Sequence, residues 1–354
     1  MADSTASRQA GRLLGLAKTL DAHNGFAEVV ASLRAGHGGT IGGTWGSASA
    51  LTAVALAESL AEGSSPAGLL VVVLPHAADA EFFLDDLALF TTLSIAMLPA
   101  LEGLGDAPPS GDPTEAERLA LVKRLIGPTV GQPRIIVTTI QALLCPLADP
   151  RDIEASTRRL AVGGRLDPAE FTDWLLTRGW EMADAIDRPG SFARRGGIID
   201  MFAPDWDRPV RVELFGDEIE SLRTFDTVSQ RSVDTLASID LTALVRPAAE
   251  AGGQPTRRTQ LADIVPAASW WALVEPGEIA EEATRAHQRL SHAASGAGSA
   301  MVSDPDEVFA RIYRFPSVTL AAVAPSSLEA TALLAVESVE RFTGVLDQIG
   351  RAHV

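Results

Sequence analysis

Leu69-Leu70-Val71-Val72-Val73-Leu74, bounded by Gly68 and Pro75, is the stretch that decides the fold class. It is too short for a stable helix and has no polar residue at alternate positions. A run of this kind, rich in β-branched residues, is a strand buried on both faces, as in parallel sheets. Working outward, an alanine-rich helix from Ala48 to Glu62 precedes it and ends at Gly63-Ser64-Ser65-Pro66. A second helix, Ala78 to Phe90, follows it. Beyond the Pro/Gly/Asp-rich loop Gly103–Pro113 come a helix over Thr114–Ile126 and the strand Arg134-Ile135-Ile136-Val137-Thr138-Thr139. Strands alternating with helices predict an α/β unit whose parallel sheet is covered on both faces. Towards the N-terminus, Gly36–Gly46 reads as a glycine-rich turn. Leu13, Leu14, Leu16 and Leu20 give residues 1–35 the spacing of one or two helices.

The turn contains Gly43-Thr44-Trp45-Gly46-Ser47-Ala48-Ser49-Ala50, just ahead of a helix. A working phosphate loop reads G-x-x-x-x-G-K-[ST]: the second glycine admits the phosphates, the lysine reaches them and the hydroxyl binds magnesium. Aligned on Gly43, those three positions hold Ala48, Ser49 and Ala50. Two readings stand at this point. One is a plain turn in which Ser47 caps a helix; the other is an ATPase loop that has decayed. Neither leaves an ATPase, and anion binding at the helix N-terminus would be weak.

The pattern changes after about residue 148. A helix near Pro168–Arg178 leads into Arg195-Gly196-Gly197-Ile198-Ile199-Asp200-Met201-Phe202. Pro209-Val210-Arg211-Val212-Glu213-Leu214-Phe215 then alternates apolar and polar residues before the turn Gly216-Asp217. This predicts a small α+β insertion with an antiparallel sheet, in which Gly196 and Gly197 supply a bulge or a close approach. The remainder mixes strands, Trp270–Val274 and Val318–Val323, with a helix from Gly277 to about His292. Trp270 and Trp271 suit a buried strand; without interleaved basic residues they do not suit a base-stacking platform.

Composition narrows the function classes. With 46 acidic against 29 basic residues and a net charge of -17, the 354-residue chain is a poor autonomous DNA binder, because such binding draws on Lys and Arg neutralising phosphates. A protein partner with a basic surface is the simpler expectation. A single cysteine, Cys145, excludes an intrachain disulfide and a thiolate cluster, and its apolar neighbours suggest a buried residue. His287 and His292 are misaligned for a helical metal pair. No stretch is long enough to span a bilayer and no signal segment precedes residue 20, so a cytoplasmic protein is expected.

Residues 188–231 carry a resemblance. Ser191-Phe192-Ala193-Arg194-Arg195-Gly196-Gly197-Ile198-Ile199-Asp200-Met201-Phe202 and Arg211-Val212-Glu213-Leu214-Phe215-Gly216-Asp217-Glu218-Ile219-Glu220 closely resemble the UvrB-homology region shared by the excision-repair protein UvrB and the transcription-repair coupling factors. Ser49 in place of the lysine, Phe225-Asp226 with Ser229-Gln230-Arg231, and Val336–Gly344 are similar to the coupling-factor form. The resemblance implies a degenerate P-loop-NTPase-like lobe with a parallel sheet, carrying the inserted α+β domain. It implies N-terminal helices (1–35) packing with the last domain, a degenerate lobe (36–147), a UvrA-binding domain (148–226), a second part of the homology module (227–345) and a non-native tail (346–354). It implies a non-catalytic recruitment module without a cofactor of its own. ATP and magnesium would belong to the motor of an intact parent, and RNA polymerase and DNA would be met through its missing C-terminal part.

The positions matching the family's UvrA-binding surface are Phe192, Arg194, Arg195, Arg211, Glu213 and Glu218, with Arg195 foremost because its fork can grip a carboxylate bidentately. The competing reading is a solvated ladder of Arg195, Arg211 and Glu213 across neighbouring strands. Phe192 could equally belong to the core. The closing Ile349-Gly350-Arg351-Ala352-His353-Val354 reads as translated sequencing adapter, which re-amplification of the locus would show as an unbroken frame lacking those six codons.

Overall fold

The computed structural model describes residues 13–23, 25–63, 68–101, 113–128, 131–243, 258–293, 302–323 and 329–334. Most of the loop Gly103–Pro113, the stretch Val336–Gly344 and the tail 346–354 lie outside them. A 3-10 turn, Leu16–Ala22, and helix α1 (Phe26–Arg34) come first, followed by β1 (Gly39–Gly42), α2 (Ser47–Gly63), β2 (Leu70–Leu74), α3 (Ala77–Phe90), β3 (Ile95–Leu98), α4 (Pro113–Ile126), β4 (Ile135–Thr139) and α5 (Ile140–Leu144). After β5 (Leu147–Ala148) and α6 (Pro150–Ala155), the chain enters a middle unit. That unit comprises β6 (Thr157–Ala161), α7 (Pro168–Leu176), β7 (Glu181–Met182), β8 (Ser191–Arg195), β9 (Ile198–Phe202), β10 (Val210–Phe215), β11 (Glu218–Phe225), β12 (Ser232–Leu236) and β13 (Ser238–Thr242). The last part holds β14 (Arg258–Thr259), α8 (Leu261–Ile264), β15 (Trp270–Val274), α9 (Pro276–Ala293), α10 (Pro305–Ile312), β16 (Ser317–Ala321) and β17 (Ala330–Leu333).

The first and last parts build one parallel sheet in the order β17-β1-β16-β15-β2-β4-β3. Its central strands are buried on both faces, as the Leu69–Leu74 run requires: Leu70, Val72 and Leu74 face α1, α2 and α3, while Leu69, Val71 and Val73 face α5, α9 and α10. Trp270 and Trp271 are both buried in β15, one on each face. The α/β prediction therefore holds, but the glycine-rich turn is in part a strand. β1 sits between β16 and β17, where Gly39 packs so closely on Val29 that a Cβ would lie 2.7 Å from its Cγ1. None of the helices among the described residues is long and apolar enough to cross a membrane.

Gly43 ends β1 at φ 76°, and a Cβ there would fall 2.0 Å from the Leu334 carbonyl oxygen. Gly46 also has a positive φ, 56°, but a Cβ would meet nothing. Gly43→Ala should therefore cost about 2–3 kcal/mol, from left-handed strain plus overlap. Gly46→Ala should cost about 1 kcal/mol, from strain alone. Urea denaturation of the two variants checks the order.

The middle unit forms a separate antiparallel sheet, β12-β11-β10-β9-β8, with β7 added parallel at the edge. The chain enters on β6 and leaves on β13, which are antiparallel partners from Thr157–Thr242 to Ala161–Ser238. The Thr157 and Thr242 hydroxyls bond at 2.8 Å, and the Ala243 N–H donates to the Ser156 carbonyl at 2.9 Å, closing the neck of the insertion. The sheet continues to Leu236 and the neck to Thr242, so a boundary at residue 226 would cut between two hydrogen-bonded strands. Lys123 on α4 meets the nearly buried Asp205 carboxylate at 2.5 Å, fixing the middle unit against the parallel-sheet unit.

Candidate functional site

The antiparallel sheet has one inner and one outer face, because side chains alternate along each strand. Phe192, Ile199, Met201, Val212 and Leu222 point inward and pack with Phe171 and Leu175 of α7. Asp167 starts that helix by accepting from the backbone N–H groups of Ala169 and Glu170 at 2.8 and 3.0 Å. The Glu170 and Ala169 bonds hold its carboxyl below the usual carboxylate range against a small opposing effect of burial, and the nearby Arg194 charge adds to this.

The candidate residues separate on this frame. Phe192 is wholly buried beneath the sheet; its ring cannot touch a partner, and it belongs to the core. Arg194 and Arg195 are both exposed, but as neighbours on one strand they point to opposite faces. Arg194 follows Phe192 towards the α7 side, near Asp167. Arg195 lies on the outer face, opposite Ile198, and donates to the Asp184 carbonyl.

Arg211 is also outward but already engaged. It donates from Nε and Nη2 to the two Asp200 carboxylate oxygens at 2.7 and 2.8 Å, and its guanidinium carbon lies 4.8 Å from the Phe225 ring centre. The Asp200 hydrogen bond pushes the Arg211 pKa further up, outweighing its partial burial. Glu213 accepts from the Ser221 hydroxyl at 2.5 Å and faces Arg223 at 3.5 Å. Glu218 is exposed at the hairpin end, opposite Phe215. Arg211 and Glu213 thus fit the ladder reading, while Arg195 stands apart from it.

One end of the outer face is closed by Ile186, which packs on Ala193 and Phe225. The other end is open. There Arg195, Ile198, Glu213 and Ser221 lie in one cross-strand row, with Arg223 beside them and Phe215 at the hairpin tip. Ile198 is 38% exposed and Phe215 81%. The alternation of β10 already puts Phe215 on the same side as Arg211 and Glu213, so the signal for it is present in the sequence. Likewise Ile198-Ile199 must send one isoleucine outward. An exposed aromatic and an exposed isoleucine flanked by guanidinium and carboxylate groups suit a protein surface better than a small ligand.

The loop Gly43–Ala50 carries little chemistry. Ser49, at the position of the phosphate-loop lysine, is buried, and its hydroxyl donates to the Thr44 carbonyl at 3.0 Å. Ala50 is buried within α2. Cys145 is buried too, and burial pushes its thiol pKa up, which keeps it protonated and unreactive.

Comparison with known proteins places this geometry. The family model of the UvrB interaction domain matches residues 159–245, the stretch that contains the antiparallel sheet. The chain is 34% identical over 225 residues to the transcription-repair-coupling factor of Myxococcus xanthus, covering 61% of this chain and 18% of that protein. It is 33% identical over 159 residues to the Bacillus subtilis (strain 168) transcription-repair-coupling factor, covering 44% and 13%. It is 35% identical over 102 residues to the UvrABC system protein B of Fervidobacterium nodosum, covering 29% and 15%. The matched stretches thus span less than a fifth of these relatives' own lengths.

Proposed function

Taking residues 159–245 as a UvrB interaction domain, we propose that this chain is the front part of a transcription-repair coupling factor and docks UvrA through the open end of its outer sheet face. The observation that carries this reading is the coincidence of the family match with a sheet end that presents Arg195, Ile198 and Phe215 to solvent. In this reading the parallel sheet descends from a P-loop ATPase lobe whose strands come from two parts of the chain, β1–β4 and β15–β17, with the turn Leu16–Ala22 and α1 packed alongside. The loop at Ser49 has been turned into packing, with a hydroxyl bonded inward where an ammonium would reach phosphate. The chain recruits repair proteins without a cofactor. Translocation on DNA, with ATP and magnesium, and contact with stalled RNA polymerase belong to other parts of the parent. The setting is cytoplasmic.

A second reading, an ATP-using UvrB-like enzyme, draws on the identity to UvrABC system protein B. Two binding measurements separate the readings. The chain immobilised at its C-terminus should capture purified UvrA at micromolar concentration or below, and equilibrium dialysis with labelled ATP and magnesium should show no binding at 1 mM nucleotide, roughly the weak limit of specific affinities. Tight ATP binding favours the enzyme, and failure to capture UvrA sinks the recruitment reading.

A further inference from the structure

The two units of the fold are packed separately. Among the described residues, the buried apolar side chains of the middle unit cluster with one another and with none of those on either side of the parallel sheet. No strand or helix of the middle unit lies along an element of the parallel-sheet unit. The chain crosses between them at the neck, where Thr157 bonds to Thr242 and Ala243 to Ser156. A neck of two strands leaves a rigid unit free to turn unless a second point of contact braces it.

Lys123 and Asp205 make that second point. Among the described residues, theirs is the one ion pair that joins the two units. Asp205 lies in the loop between β9 and β10, at the end of the antiparallel sheet away from the hairpin tip that carries Phe215. Its side chain is 5% exposed and that of Lys123 22%. Oδ2 meets the Lys123 Nζ at 2.5 Å, whereas Oδ1 is buried and has no hydrogen-bond partner among the described residues.

This pairing is only half compensated. Taking a carboxylate out of water is costly, and one ammonium repays the cost only when the remaining lone pairs also find donors. Here one oxygen finds none. The contact therefore adds little net stability while it fixes an orientation, and parting the two units lets water reach Oδ1. Parting them also breaks no shared apolar core.

We propose that Lys123 and Asp205 form a latch, and that the middle unit turns as a body about the Thr157–Thr242 neck once the latch is released. The latch grips the sheet at the end opposite Arg195, Ile198 and Phe215. It thus sets the direction in which those side chains point without covering them. The inference stands on the packing of the two units and on one ion pair, and it does not depend on what the middle unit binds.

The test uses the full chain with Cys145→Ala and spin labels attached through Phe82→Cys on α3 and Asp173→Cys on α7, one exposed site in each unit. Pulsed electron resonance should give one narrow distribution of distances. Lys123→Met should at least double its width, and Lys123→Glu should widen it further. Lys123→Arg, which keeps the charge, should leave it narrow. A pair within the middle unit, Asp173→Cys with Val228→Cys, should keep its distance in every variant, as a unit moving as a body requires. A distribution already broad before any change at Lys123, one that stays narrow in Lys123→Met, or equal widening by Lys123→Arg overturns the proposal. Widening of the pair within the middle unit also overturns it, because the ion pair would then maintain the fold and not the orientation.

Discussion

Arg195→Ala should weaken capture of UvrA thirty-fold or more, about 2–5 kcal/mol, without changing the fold. Arg195 is exposed at the end of β8, and its hydrogen bond to a neighbour is to the carbonyl of Asp184 on a surface loop. Losing one exposed bond of that kind costs the free protein little. A partner that buries the guanidinium against a carboxylate, however, would be left with an unpaired charge when the arginine is truncated. Arg194→Ala provides the contrast. Its side chain points to the other face, towards α7, so it should change capture less than threefold. Arg211→Ala should instead act through stability, because it orphans Asp200 and uncovers Phe225. Titrating UvrA against each variant, with thermal melts alongside, separates the three. Equal losses for Arg194 and Arg195 would refute the assignment of the site to the outer face.

The distinction between those two arginines shows how far a sequence carries the argument. Arg-Arg-Gly-Gly reads as one basic cluster, yet the two-residue period of a strand divides it, and that period is plain in Val210–Phe215. The same period marks Phe215 as outward, but a hydrophobic residue beside a turn is easily assigned to the core. The buried state of Phe192 is harder to read, because a phenylalanine flanked by serine and alanine has no polar alternation around it. In the parallel sheet, Leu69–Leu74, Arg134–Thr139 and Trp270–Val274 announce themselves through unbroken apolar or β-branched runs. β1 and β17 do not: Gly-Thr-Ile-Gly looks like a turn and Ala-Thr-Ala-Leu like a piece of helix. Both become strands through contacts made elsewhere in the chain, β1 by packing Gly39 on α1 and β17 by pairing with β1. Strand order is equally non-local, since the placement of β15 and β16 between β1 and β2 depends on a stretch some two hundred residues further on.

Arg118→Met should destabilise the chain by about 3–5 kcal/mol, the largest stability loss expected of any single arginine. Arg118 lies on α4 and is 2% exposed. Its Nη1 donates to the Pro99 carbonyl at 2.7 Å and, more weakly, to the Ala142 carbonyl at 3.4 Å, while Nη2 donates to the Cys145 carbonyl at 2.5 Å. Burial lowers its pKa, against the opposing influence of the nearby Cys145 and Glu115 groups, and its hydrogen bonds go to backbone carbonyls. Two of the acceptors lie in the last turn and at the end of α5, where helix carbonyls carry partial negative charge. One planar fork thus ties the segment after β3 to the end of α5, beside the bond from Gln141 Nε2 to the Leu101 carbonyl at 3.1 Å. Methionine can fill the volume of the aliphatic stem but cannot satisfy the Pro99 and Cys145 carbonyls, each of which costs about 1–3 kcal/mol when left without a donor; the Ala142 carbonyl keeps the Cys145 N–H at 3.3 Å. Lysine keeps the charge without the fork, so Arg118→Lys should recover only part of the loss. An exposed counterpart, Arg285→Met on α9, removes an i,i+4 pair with Glu281 and should change stability by no more than about 0.5 kcal/mol. Urea denaturation read by tryptophan fluorescence would rank the three variants. A loss at Arg118 no greater than that at Arg285 would mean that solvent, and not the guanidinium, satisfies those carbonyls.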